Sequence, residues 1–352
     1  MPRFRAAYVG YTTCMMMLDL ADVAHTLLRS GKGILAADES DATADKRLTQ
    51  YGIKTGPEMR RKYRDLFLNA PGAEQYLSGV ILFEETLTQK SDDGTAFPEL
   101  LQKKGIIPGI KVDQGLDPFP EGGEETITKG LLGLPERLME YRAKYGTGFT
   151  KWRAALKIDG TRLPTAQAIF ENAKRLASYA LEAQKAGMVP ILEPEVLIDG
   201  AHSRLRSREV VAQVMGALVG ALEDQHVDRS GVIIKTSMVI SGKDSGRTDT
   251  PEEVAEDTVS VLLETVPKDV GGIVFLSGGQ SAEQAANNLR AIEALAKEKN
   301  VPWPLTFSYA RALQDEALAI WKGEDANVPA AREAFLTRLR EDACFTLKDS
   351  VC

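Results

Sequence analysis

Short runs of Val, Ile and Leu recur every few dozen residues along the chain. Between them lie longer stretches in which apolar residues repeat at helical spacing. That alternation is the pattern of repeated strand-then-helix units. The spacing predicts strands over 33–38, 79–83, 107–113, 152–158, 189–195, 232–238, 272–277 and 305–309. Eight is the number that closes a parallel barrel. Helices are predicted over 165–186 and 281–297, among others, and Ser281 is suited to cap the second. No linker rich in Pro, Gly or Ser divides the chain, so the fold class is α/β, a single-domain (β/α)8 TIM barrel. A doubly wound sheet would carry a GxGxxG turn after its first strand, and the sequence has none. The barrel is assigned residues 18–348, with 1–17 as an N-terminal extension that need not be ordered and 349–352 as a C-terminal tail.

Ionisable residues interrupt the apolar strands, and burying a lone charge there is costly unless it is paired or used. Side chains two apart in a strand share a face. Glu193 therefore points with Glu195, Lys111 with Asp113, and Lys151 with Arg153 and Lys157. Asp38 closes the first strand, and Lys235 sits in the middle of Val-Ile-Ile-Lys-Thr-Ser-Met. Together they predict an inward-facing charge cluster near the carboxyl ends of parallel strands, where barrel active sites are built. A self-satisfying ion-pair network explains any one of them. It explains the whole set less well, because strand after strand departs from the pattern at similar depth.

Lys235 is the candidate nucleophile. It must be neutral to attack a carbonyl, and burial with nearby cations lowers a lysine's pKa towards that condition. Glu193 and Glu195 offer the matching acid and base, since two close carboxylates resist double ionisation and one can keep a proton.

Composition limits the partners. With 43% hydrophobic and 26% charged residues the chain can build a sizeable core, and a net charge of −7 disfavours nucleic acid as a partner. No apolar run is long enough to span a bilayer, so no membrane partner is expected and the expected compartment is the cytoplasm. Cys14, Cys344 and Cys352 lack CxxC spacing and are expected to be free thiols. His25, His202 and His226 lack zinc-ligand spacing, so neither a metal nor another cofactor is expected; His202 is expected to be solvated in a polar loop. Phe-Leu-Ser-Gly-Gly-Gln, 275–280, joins the seventh strand to a helix and suits an oxyanion, with Arg311 beyond the eighth strand as its cation.

These motifs, GKGILAADES, GIKVDQG, FTKWRAALKI, PILEPEVLIDG, IIKTSMV, IVFLSGGQS and PLTFSYARALQ, resemble those of class I fructose-bisphosphate aldolase in the same order. The resemblance implies a metal-independent lyase of glycolysis and gluconeogenesis. It would reversibly cleave fructose 1,6-bisphosphate to dihydroxyacetone phosphate and glyceraldehyde 3-phosphate. It further implies Lys235 as the Schiff-base lysine, Glu193 and its partner Glu195 as acid and base, and Asp38 as the carboxylate of carbon–carbon cleavage. Arg47, Lys111, Lys151 and Arg153 match substrate-site cations. Ser277, Gly278, Gly279, Ser308 and Arg311 match the ketone-side phosphate pocket, and Ser40 and Thr43 match hydroxyls near the other phosphate. A homo-oligomer, a tetramer, is implied as well.

The chain departs from the family's pattern at Asp41-Ala42-Thr43, where Gly is common, at Thr236 after the lysine, and at Ala310 before Arg311. It also lacks the terminal tyrosine of animal-type members. The remaining readings are another Schiff-base barrel aldolase acting on a monophosphate, and a catalytically idle scaffold.

Overall fold

The computed structural model describes residues 19–120 and 123–346, so the extension and tail expected at 1–17 and 349–352 lie outside the described residues. Ten strands are described: β1 (Gly33–Ala37), β2 (Leu77–Leu82), β3 (Ile107–Lys111), β4 (Leu116–Phe119), β5 (Glu125–Thr128), β6 (Phe149–Leu156), β7 (Val189–Val196), β8 (Ile233–Thr236), β9 (Gly272–Phe275) and β10 (Leu305–Tyr309). Eight of them close a barrel in the order β1-β10-β9-β8-β7-β6-β3-β2, every neighbouring pair parallel. The expected (β/α)8 barrel is therefore what the chain forms.

Two differences have physical causes. The strand predicted from 152 begins at Phe149, because two polar residues break the apolar run: Thr150, which faces outward to the Tyr179 hydroxyl, and Lys151, which faces inward. The antiparallel hairpin of β4 and β5 was not predicted, since Leu-Asp-Pro-Phe and Glu-Thr-Ile-Thr have no clear apolar period.

The barrel interior changes character along its axis. Ile34 and Ala36 on β1, Phe149 on β6, Val189 and Ile191 on β7, and Ile233 on β8 join one apolar cluster with Ala24, Leu27 and Leu28. The last three belong to or follow the helix Leu20–Leu27, which plugs the amino end of the barrel. Two residues further along the same faces come Asp38, Lys151, Glu193 and Lys235. Alternation thus carries each strand from an apolar floor to a charged mouth. Phe149 fills the floor so tightly that a β-carbon on Gly109 would lie 2.3 Å from its ring, which accounts for glycine on β3.

The outer layer is helical and was largely legible. The helix Ala166–Lys185 is capped by Thr165, whose hydroxyl accepts from the Ala168 N–H at 3.1 Å, and it buries Ile169, Ala173, Leu176, Ala177 and Ala180. The helix Ala282–Glu298 is capped in the same way by Ser281, from the Gln284 N–H. Among the described residues no helix is long and apolar enough to cross a membrane. Cys344, expected as a free thiol, is disulfide-bonded; sequence spacing does not reveal which cysteines approach in space.

Candidate active site

The charged mouth is a chain of alternating signs. Glu193 forms ion pairs with both neighbouring strands: the Lys235 ammonium lies 3.0 Å from its Oε1 and the Lys151 ammonium 2.5 Å from its Oε2. Lys151 also donates to Asp38 Oδ2 at 2.9 Å. All four are buried, Lys235 to 3% and Glu193 to 4% residual exposure. Register alone sets Arg153, not Lys151, beside Glu193. The observed pairs are diagonal, Lys151 with Glu193 and Arg153 with Glu195, each one pleat further along, within reach of long side chains on tilted strands.

The electrostatics follow from that pairing. Burial pushes Asp38 up, but Lys151 and Lys235 outweigh it and lower its pKa to about 2. Burial likewise works against the Glu193 carboxylate, and Lys151, Lys235 and Arg153 outweigh it, so its pKa falls. Burial opposes the Lys151 ammonium, which Asp38 and Glu193 hold well above the ordinary lysine range. The expectation that one of two close carboxylates keeps a proton is corrected for Glu193, which despite its burial Lys151, Lys235 and Arg153 hold below the ordinary carboxylate range; Glu195 instead pairs with Arg153 at 2.5 Å.

The flanks complete the mouth. Lys111 meets Asp113 Oδ1 at 2.6 Å, while Asp113 Oδ2 accepts the Arg153 N–H at 3.2 Å. Lys157, expected beside Arg153, lies past the end of β6 and is exposed. Arg47 is buried and heavily committed: to Glu39, to Tyr63 at 2.8 Å, to Gln314 at 2.6 Å and to Asp315 at 2.6 Å. Ser40 and Thr43 sit at the start of the helix Asp41–Gln50 with their hydroxyl oxygens 3.1 Å apart. Sequence reasoning missed Glu39, which also holds Arg64 at 2.5 Å. The available signal was its place between Asp38 and Ser40 in the same charged turn.

On the opposite side, Ser277, Gly278 and Gly279 form the loop that follows β9. Both glycines have left-handed backbones, φ 57° and 90°, which turn the loop sharply. A β-carbon on Gly279 would lie 3.6 Å from an Arg311 nitrogen, so loop and guanidinium adjoin. Arg311 is exposed and opens the helix Arg311–Trp321, whose N-terminus has no side-chain cap. Ala310 before it has φ −110°, which a side chain tolerates. Ser308 is buried at 1% exposure, and its hydroxyl has no hydrogen-bond partner among the described residues. Free backbone donors, a guanidinium and an unsatisfied hydroxyl are what a phosphate requires. His202, expected in solvent, is buried near this loop, and burial followed by the Arg206 charge lowers its pKa.

The family profile of fructose-bisphosphate aldolase class-I matches residues 19–348. The chain is similar to fructose-bisphosphate aldolase 6, cytosolic, of Arabidopsis thaliana, at 48% identity over 90% of this chain and 87% of the plant protein. It is also similar to the fructose-bisphosphate aldolase of Drosophila melanogaster, at 46% identity over 95% and 91%. Its structure resembles fructose-bisphosphate aldolase from Plasmodium falciparum, solved in complex with TRAP and a small-molecule inhibitor. The TM-score is 0.90 at 44% identity, covering 94% of this chain and 95% of that one. The chain belongs to the class I fructose-bisphosphate aldolase family.

Proposed function

We propose that Lys235, Glu193 and Asp38 carry the aldol cleavage, with Lys151 as the cation that keeps both carboxylates ionised. The activity that goes with the family is reversible, metal-independent cleavage of fructose 1,6-bisphosphate to dihydroxyacetone phosphate and glyceraldehyde 3-phosphate. The observation that carries the residue assignment is the buried run Lys235, Glu193, Lys151, Asp38, linked at 3.0, 2.5 and 2.9 Å. Glu193 takes a proton from the Lys235 ammonium, and the freed amine attacks the ketone carbon. The attached nitrogen passes one proton to the former ketone oxygen, and the Glu193 carboxyl returns its own to the hydroxyl so formed, so water leaves and an iminium forms. The iminium draws in the electron pair of the C3–C4 bond while Asp38 accepts the C4 hydroxyl proton. Glyceraldehyde 3-phosphate departs, and protonation of the enamine followed by hydrolysis releases the second product and restores the amine.

The ketone-side phosphate is held by Ser277, Gly278, Gly279, Ser308 and Arg311, and the distal phosphate by Ser40 and Thr43. Lys111 and Arg153 face the sugar between them, and Glu195 aims Arg153. Arg47, already committed, positions the turn that carries Ser40 rather than meeting the phosphate directly. Borohydride reduction with dihydroxyacetone phosphate, followed by peptide mass analysis, tests the centre of this reading. The adduct is expected on Lys235. An adduct elsewhere, with activity kept in Lys235→Ala, overturns it.

A homotetramer in the cytoplasm completes the reading. Several relatives are named cytosolic. Leu132 and Met139 stand 95% and 67% exposed, as residues covered by another copy would. Light scattering at assay concentration gives the state directly.

A further inference from the structure

Asp41 is the residue of the mouth that the reaction leaves unused. It follows Ser40 and opens the helix Asp41–Gln50, but its carboxylate turns towards the helix Pro57–Leu68, where Arg60 Nε lies 3.9 Å from Oδ1. Arg60 is already satisfied by Asp45 at 2.9 Å and by both oxygens of Glu85 at 2.9 and 2.7 Å. Asp41 Oδ1 is buried without a hydrogen-bond partner among the described residues, while half of the side chain remains open to solvent. Three carboxylates thus surround one guanidinium, leaving an excess of two negative charges. Burial, and then the Glu85 carboxylate, raise the Asp41 pKa, the response of an acid that its neighbours do not neutralise. The other guanidiniums nearby are held elsewhere: Glu39 takes Arg64, whose charge also reaches Glu85, and Glu39 with Asp315 takes Arg47. A phosphate dianion at Ser40 and Thr43 would bind at the start of the helix that carries Asp41, next to a group in which three carboxylates share one guanidinium.

We propose that Asp41 is a specificity-determining residue that weakens binding of the sugar's distal phosphate and shifts this active site towards singly phosphorylated ketoses. The inference rests on the reading that the distal phosphate lies beside Ser40 and Thr43. A purely structural role makes a different prediction. An acid in the first turn of a helix stabilises it against the dipole, so its loss would lower the melting temperature and leave substrate choice alone.

The test is steady-state kinetics of the full chain with fructose 1,6-bisphosphate and with fructose 1-phosphate, for wild type, Asp41→Asn, Asp41→Gly and Asp41→Glu. Removing the charge is expected to lower KM for the bisphosphate by about five- to tenfold, with kcat and the monophosphate KM unchanged. Asp41→Glu should keep the wild-type ratio, and added salt should shrink the gain. Unchanged monophosphate activity shows that the variants fold. An unchanged ratio of kcat/KM for the two substrates in both Asp41→Asn and Asp41→Gly, whatever the melting temperature does, overturns the proposal. Ser40→Ala separates the two layers. If it raises KM for the bisphosphate alone while the Asp41 variants do nothing, only the role of Asp41 falls. If it leaves the bisphosphate KM untouched, the distal phosphate binds elsewhere and both readings fall.

Discussion

Two groups of buried carboxylates in this molecule meet opposite fates. At the carboxyl end of the barrel, Asp38 and Glu193 are buried among Lys151, Lys235 and Arg153, and both are held ionised below their ordinary pKa. Glu293, on the outer helix Ala282–Glu298, and Asp342, on the outer helix Val328–Phe345, are buried, and neither forms a salt bridge among the described residues. Glu293 Oε1 and both oxygens of Asp342 lack hydrogen-bond partners among the described residues. Burial pushes Glu293 up to about 8, against a weak Lys297 influence, and Asp342 up to about 7, against Arg338. Both act on Tyr309 of β10, whose hydroxyl donates to the Ala285 carbonyl. Burial alone therefore does not make a reactive centre. The same desolvation yields a neutral acid where no cation faces it and a standing ion where two do. Catalysis draws on the second kind, since a base must be ionised when substrate arrives.

The largest expected effect comes from removing the ion at the centre of the first group. Glu193→Gln takes the proton acceptor from Lys235 and leaves two buried ammoniums facing an amide. A fall in kcat of about a thousandfold is expected, with a destabilisation of about 3–5 kcal/mol in urea unfolding. A kcat within tenfold of wild type would break the comparison, because the paired charges would then be structural only.

Next comes the second group. The folded pKa of Glu293, about 8, lies above its unfolded value near 4.5, so the stability carried by the protonated acid is complete below 4.5 and lost as pH rises through 8. Glu293→Gln should match wild type near pH 4.5 and exceed it by about 2–4 kcal/mol at pH 9, with activity unchanged. A gain independent of pH would mean that the carboxyl finds a partner.

Asp38 titrates with the opposite sign and the smallest effect. Its folded pKa of about 2 lies below the unfolded 3.8, so its contribution is present above about pH 4 and lost as pH falls to 2. Unfolding measured between those limits should cost wild type about 2 kcal/mol more than Asp38→Asn loses over the same range. Equal slopes would show that the Lys151 contact contributes nothing.

Much of this was readable before any coordinates, and the misses have a common cause. Strand positions, capping at Ser281 and the inward set Asp38, Lys151, Glu193 and Lys235 all follow from local periodicity. The burial of His202, the bonds of Arg47 to Gln314 and Asp315 and the pairing of Glu39 with Arg64 do not, because each depends on residues brought together by the fold. The pairing of Glu193 was misjudged for the same reason. Its neighbour in sequence is Glu195, but its neighbours in space come from β6 and β8.

The sequence by itself determined which positions carry charge and on which face of each strand they stand, since a two-residue period is a local property of the chain. Closing eight strands into a tilted barrel decided that Lys151 and Lys235 flank one carboxylate from either side. That arrangement depends on stagger between strands, which is fixed by the packing of the whole sheet around its apolar floor and by no single segment within it.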